Sequence, residues 1–324
     1  MRTALLLLTI PFALCAQAPQ PHPQPTLTGK QLFEARRFDE AKAAFQQQLA
    51  RDKNNANAQF YMGRVEYVQG RSGDAVDWFE KAVQRDEKNA TYHVWLGNAL
   101  GDEAQTASKL RQPFLARRVK SEFERAVELD PKQIDAREGL VDFYSMAPGF
   151  MGGSMDKAHE QGNEIIKLNP GRGHLKLAQL AERQKDPVTA EREYKSVVAA
   201  EPDSAAGYYG LGAFYRRQKR FDESWATYEQ LMKLRPGEIN VHLTWAGTAA
   251  ESGKNLERGE REVKLYLANA PKDAPAGNVS NAHWRLGQIY EQTARKEQAR
   301  SEYNEALKLN PRNPNAKKSL EALK

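Results

Sequence analysis

The chain has 324 residues, 28% of them charged and 40% hydrophobic, an ordinary balance for a soluble globular protein. Its 48 basic and 42 acidic residues leave a net charge of +6 spread along the whole length. That spread argues against nucleic acid as a partner, and no RNA- or DNA-binding module is visible. The single cysteine, Cys15, excludes disulfides and a cysteine metal site.

The chain opens on Arg2 and an apolar run from Ala4 to Ala16, interrupted by Pro11. The run is shorter than the roughly 20 residues a membrane-spanning helix needs. Small-x-small sites at Ala13-Leu14-Cys15 and Ala16-Gln17-Ala18 complete the pattern of a secretory signal peptide over residues 1–18. The expectation is an exported chain, periplasmic or secreted. Leu14 stands where a lipobox takes a small residue, which argues against a lipid anchor on Cys15. Residues 19–25, rich in proline and glutamine, read as an extended spacer. No second spanning segment follows it.

From residue 26 to 324 one pattern returns, most cleanly between Ala205 and Glu238. Tyr208, Leu211, Gly212 and Tyr215 fall on one face of a helix, and Ser224, Tyr228 and Leu231 on one face of a second. Lys219 and Arg220 lie in the turn between them. Asp222 stands where the second helix starts, able to cap it or to complement its dipole, and Pro236 ends it. The small residue of the second helix recurs as Ala41, Ala75, Val119, Ala158, Ala190, Ser224, Gly259 and Ala299. Four residues later stand Phe45, Phe79, Phe123, Gly162, Tyr194, Tyr228, Val263 and Tyr303. Leu-Gly or Met-Gly pairs mark the first helix at Met62-Gly63, Leu96-Gly97, Leu211-Gly212 and Leu286-Gly287. The units cover about 22–55, 56–89, 90–133, 134–170, 171–204, 205–238, 239–273 and 280–313.

This pattern resembles the tetratricopeptide repeat, W-x2-L-G-x2-Y followed by A, F, A and P. The resemblance implies an all-α fold, a right-handed superhelical solenoid of about eight helix-turn-helix units. One unit cannot bury enough apolar surface alone, so the units must stack. Residues 314–324, with Ala316, Leu320 and Leu323 on one face, read as a capping helix. The first unit, directly after the spacer, should have a short first helix within Thr26–Phe33.

Three stretches exceed the period. Unit three gains residues between Leu100 and Val119, which predicts two lengthened helices, with Pro113 in a first turn. Unit four gains the apolar, glycine-rich loop Met146–Met155, and Lys272–Val279 lengthens the joint before unit eight. The first two insertions fall at turns on one edge of a stack. They should therefore meet, packing Phe150 or a loop methionine against Leu110–Leu115. Phe114, Leu115, Phe150 and Met151 are the candidate edge patch. The long third unit together with this loop resembles exported bacterial tetratricopeptide repeat proteins.

No catalytic constellation is visible: H-E-x-x-H, G-x-S-x-G and the P-loop are all missing. His93, His174, His242 and His283 share position 4 of their units. There they read as packing residues and not as a metal site, because successive units hold them about 10 Å apart. The expectation is a non-enzymatic scaffold without cofactor or metal. In tetratricopeptide repeat proteins, the first helices line an inner groove. The matching residues here are Phe60, Arg64, Tyr67, Asn98, Asp102, Asp142, Gln179, Arg183, Tyr209, Arg216, Arg217, Trp284 and Gln288. Aromatics for apolar side chains, amides for backbone and arginine for carboxylate suit a peptide or protein segment. The family's lysine–asparagine clamp is not reproduced, since Val94 stands beside Asn98 where the clamp has lysine. The alternative partner is an anionic envelope polymer or polysaccharide gripped by Arg172, Lys176, Arg183, Arg216 and Arg217.

Overall fold

The computed structural model describes residues 27–271 and 274–323. The expected signal peptide and spacer, and Cys15, lie outside the described residues. Those that are described form helices and one 3-10 turn, with no strand. No described helix is long and apolar enough to cross a membrane.

The chain divides into two compact units, residues 1–87 and 88–324. The first holds α1 (Gly29–Glu34), α2 (Phe38–Arg51), α3 (Ala56–Val68) and α4 (Ser72–Arg85). As expected, α1 is short, and Thr28 and Gln31 fix its start with a reciprocal capping box. The second unit begins with α5 (Ala90–Thr106), α6 (Gln112–Leu129), α7 (Ile134–Met146) and α8 (Met155–Leu168). It continues through α9 (Pro170–Arg183), α10 (Pro187–Ala200), α11 (Ala205–Arg217), α12 (Phe221–Leu234), α13 (Asn240–Ser252) and α14 (Leu256–Asn269). It ends with α15 (Ala276–Gln292), α16 (Lys296–Leu309) and α17 (Pro314–Ala322).

Helices pair as hairpins, α1 with α2, α3 with α4, and so on to α15 with α16. The small residue of the first helix receives the aromatic of the second. A Cβ placed on Gly63 would lie 2.6 Å from the Phe79 ring, and one on Gly97 would lie 2.8 Å from Phe123. Gly212 meets Tyr228 and Gly287 meets Tyr303 more closely still. A real Cβ does not fit there, so the two backbones can be this close only over glycine. In the α7–α8 hairpin the pair is inverted. Gly162 takes the aromatic's place, and Leu177 of the next hairpin fills the space.

Five hairpins turn through one residue with positive φ at the same place in the unit, Arg36, Gly70, Lys185, Lys219 and Ala294, and the α13–α14 turn uses two, Gly253 and Asn255. This left-handed residue lets the chain reverse within a few residues, at a steric cost wherever it is not glycine. Asp222 lies in the first turn of α12 without capping it, so it complements the helix dipole. Asn55, Asn89, Asn169 and Asn313 cap the helices that follow the inter-hairpin loops, each accepting from a backbone N–H of the first turn.

In unit three the insertion lengthens both α5 and α6, with Pro113 in the first turn of α6. Most of the segment from Lys272 to Val279 that is described belongs to the start of α15. The Met146–Met155 loop forms a 3-10 turn at Gly149–Met151 and closes by Ser154 N–H donating to Tyr144 O at 2.9 Å. The turn touches α6, but near Lys120. The expected burial of Phe150 against Leu110–Leu115 does not occur, for Phe150 is 83% and Leu110 93% exposed. Leu115 also differs from the expected edge patch, being fully buried. It lies in helical register with Val119, Phe123 and Ala126, and that stripe faces the hairpin core. Phe114, about 100° round the helix from Leu115, is exposed, and Met151 is half-buried.

Candidate functional site: the shared face of the first helices

Within the second unit, α5 touches α7, α7 touches α9, α9 touches α11, and α13 touches α15. The second helices of successive hairpins are farther apart. The first helices therefore form the more tightly spaced side, and their outward residues share one face. The side chains expected in the groove divide here by what they touch.

Asn98 and Gln179 are half-buried on this face, and neither amide has a hydrogen-bond partner among the described residues. Asp102 is exposed and accepts from Gln105. Asp142 accepts from Lys176 at 2.7 Å and Arg183 at 3.1 Å, and Arg183 also donates to Ser145 Oγ. Arg217 grips Glu182 through two hydrogen bonds, at 3.0 and 2.8 Å. Tyr209 donates to Glu238, and burial together with that carboxylate pushes its phenol pKa up. Trp284 donates its indole N–H to Ser319 of α17. In the first unit, Phe60 is buried between Tyr61 and Phe79, the Arg64 guanidinium lies 4.5 Å over the Phe33 ring, and Tyr67 is half-buried. Phe60 thus serves the packing of its own hairpin, and Arg64 packs against the hairpin before it.

The ion pairs of Asp142 with Lys176 and Arg183, and of Arg217 with Glu182, cross from one hairpin to the next. With Arg172 bound to Asp135 and Glu138, and Arg216 beside Glu251 at 3.5 Å, they form a ladder of charges along the first helices. All five bases considered for an anionic polymer face a carboxylate in this ladder.

The position-4 histidines have a second role beyond packing. His93, His174, His242 and His283 each place Nδ1 within hydrogen-bond distance of a glutamate on their own second helix. These are Glu122, Glu193, Glu262 and Glu302, at 2.5–2.7 Å. Arg137 takes the same place in α7 and bonds Gln161 and the carbonyl of Pro131. A polar clasp thus replaces the family's tryptophan. Among the described residues no group of histidine, cysteine and carboxylates is arranged to hold a metal.

Sequence reasoning missed Arg285. It lies one residue beyond Trp284, stacks on that ring at 4.2 Å and donates to Gln288 at 3.0 Å. With Arg216, Leu243, Thr244, Gly247, Asn281, Trp284 and Asn315 it lines a cavity of about 310 Å³. The signal was present at Gly247, where the other first helices of the second unit carry Asn98, Asp142, Gln179, Ala213 and Gln288. A glycine there removes the side chain that would otherwise fill the face.

Tetratricopeptide repeat family models match residues 26–100, 175–239 and 280–313, more than half of the chain. A curated relative, the cellulose synthase operon protein C of Xanthomonas axonopodis pv. citri (strain 306), is 26% identical over 177 residues. That stretch is 51% of this chain and 11% of the relative, so the chain spans a small part of that protein's length. Among solved structures, a tetratricopeptide repeat protein from Parabacteroides merdae ATCC 43184 superposes with a TM-score of 0.52 at 15% identity. The match covers 83% of this chain and 98% of that one. MamA gives a TM-score of 0.43 at 24% identity, over 56% of this chain and 98% of its own.

Proposed function

The chain belongs to the tetratricopeptide repeat family, whose fold typically serves as a non-catalytic protein-interaction scaffold, and we propose that it holds an extended segment of a partner protein along the first helices of its second unit, in the cell envelope. The observation that carries this reading is the pair of unbonded, half-buried amides at Asn98 and Gln179, on the face that also presents Tyr209, Trp284 and Arg216. A peptide backbone offers the N–H and C=O groups such amides require, and aromatic rings accept its apolar side chains. The amino-terminal apolar segment supports an envelope location. The ladder of ion pairs counts against an anionic polymer, because a polyanion would have to compete with carboxylates already in place.

The test is site-specific photocrosslinking in envelope extracts of the native host. A photoreactive residue at Gln179 or Gln288 should capture a discrete protein. The same residue at Lys195 or Lys308, on second helices, should not. Capture from the second helices alone would remove the groove reading.

A further inference from the structure

We propose that the cavity between α11, α13 and α15 is a carboxylate subsite in which Arg216 and Arg285 together grip an acidic group of the bound segment. The proposal rests on the groove reading above and gives it a chemistry. Both guanidiniums approach the same glycine: a Cβ on Gly247 would lie 3.4 Å from Arg216 Nη1 and 3.5 Å from Arg285 Nε. Two cations are thus held side by side over a floor without a side chain.

Their compensation is incomplete. Elsewhere on this face the arginines meet carboxylates at hydrogen-bond distance, as Arg172 and Arg217 do. Among the described residues Arg285 has no carboxylate at ion-pair distance, and its hydrogen bond is to the neutral Gln288. Arg216 has Glu251 at 3.5 Å, and that glutamate is 44% exposed. Two cations therefore share one loosely placed anion. Burial, and after it the nearby Arg216, lower the Arg285 guanidinium to about 10. Like charges brought together out of water are costly until an anion joins them.

The cavity is also built to present these donors. The Trp284 ring backs the Arg285 guanidinium at 4.2 Å, which holds its plane and leaves its edge open. Trp284 is itself fixed by its bond to Ser319 at 3.1 Å. Arginine's planar fork matches a carboxylate through two parallel hydrogen bonds, and two forks can enclose one. At about 310 Å³ the space accepts a carboxylate with its adjoining stem. Exposed Asn281 and Asn315 at the rim can bond the backbone beside it. The carboxylate can come from an aspartate or glutamate side chain or from a chain terminus.

Calorimetric titration of the full chain tests this with three short probes. They are acetyl-hexaglutamate amide, acetyl-hexaglutamine with a free C-terminus, and acetyl-hexaglutamine amide. Binding of either of the first two, but not the third, is expected, and which one binds identifies the source of the carboxylate. Arg285→Gln and Arg216→Gln should each weaken it about tenfold or more, the range for a charge-assisted hydrogen bond. Gly247→Leu keeps both charges but fills the floor, and should abolish binding while the circular dichroism stays helical. Equal affinity in all three variants would overturn the subsite, as would a failure of both carboxylate probes to bind. An oligogalacturonate that binds through Arg285 where the peptides do not would assign the cavity to a polysaccharide and overturn the peptide proposal. Should photocrosslinking capture a partner unchanged by Arg285→Gln, the subsite fails and the groove stands. Should no partner be captured while acetyl-hexaglutamate amide still binds through Arg285, the groove reading fails and the subsite stands.

Discussion

Ala294 turns the α15–α16 hairpin at φ 60°, where a Cβ crowds the following carbonyl. Gly70 makes the same turn without that cost. Ala294→Gly should therefore raise stability by roughly 0.5–1 kcal/mol, the steric relief exceeding the added freedom of the unfolded chain. A lower melting temperature would show that the alanine methyl contributes packing instead. Gly212 poses the opposite case, because even one methyl would enter the Tyr228 ring. Gly212→Ala should cost roughly 1–3 kcal/mol by overpacking, and an unchanged melting temperature would contradict the assigned face. Charge acts at this scale too. The Arg220 hydrogen bond, with help from Lys195 and Tyr215, holds Glu191 at about 2, and Arg295 does the same for Glu260. Both carboxyls titrate lower in the folded chain than in the unfolded one. Their contribution is complete above about 4.5, the ordinary value, and is lost as pH falls toward about 2. The melting temperature should fall through that window. Glu191→Gln should melt lower at pH 7 and lose part of the acid dependence; parallel curves for the two proteins would contradict the linkage.

Hairpins were legible because each repeats one steric problem. A glycine on the first helix and an aromatic on the second can be read wherever both recur in step, and Gly63–Phe79 and Gly287–Tyr303 do so visibly. The terminal helix was legible for the same reason. Ala316 is fully buried, and Leu323 is nearly so and belongs, with Leu320 packed alongside, to the cluster that contains Tyr303. Deleting residues 314–324 should expose that cluster at roughly 1.5–3 kcal/mol per large apolar side chain lost. In a stack whose members touch only neighbours, the damage should be local, with amide exchange accelerating in α15 and α16 first. Uniform acceleration across the second unit would contradict a stack, and no acceleration would show that the helix does not cap it. The edge patch was less legible. Spacing placed Phe114 and Leu115 in one insertion, but neighbours on a helix point about 100° apart, so one enters the core while the other faces water. The charge ladder was not legible. Its pairs join residues 34 to 41 positions apart, such as Arg172 with Glu138 and Arg183 with Asp142. Such partners become neighbours only after the hairpins have stacked. Arg285 escaped for a related reason: its importance comes from Gly247 on the preceding first helix, and not from its own sequence neighbours.

At the scale of the molecule, the second unit sets two kinds of surface on alternate helices. Second helices carry amphipathic stripes and pair inward through the histidine–glutamate clasps. First helices carry the charge ladder, the open amides and the twin-arginine cavity. That division, and not any single residue, is the argument for a scaffold that holds its partner on one side. It is tested most directly by amide hydrogen exchange across the whole chain, with and without the partner captured by photocrosslinking. The account predicts added protection in the first helices, strongest in α11, α13 and α15 around the cavity, with the second helices unchanged. Protection confined to second helices, or to the exposed Phe114 and Phe150, would contradict it.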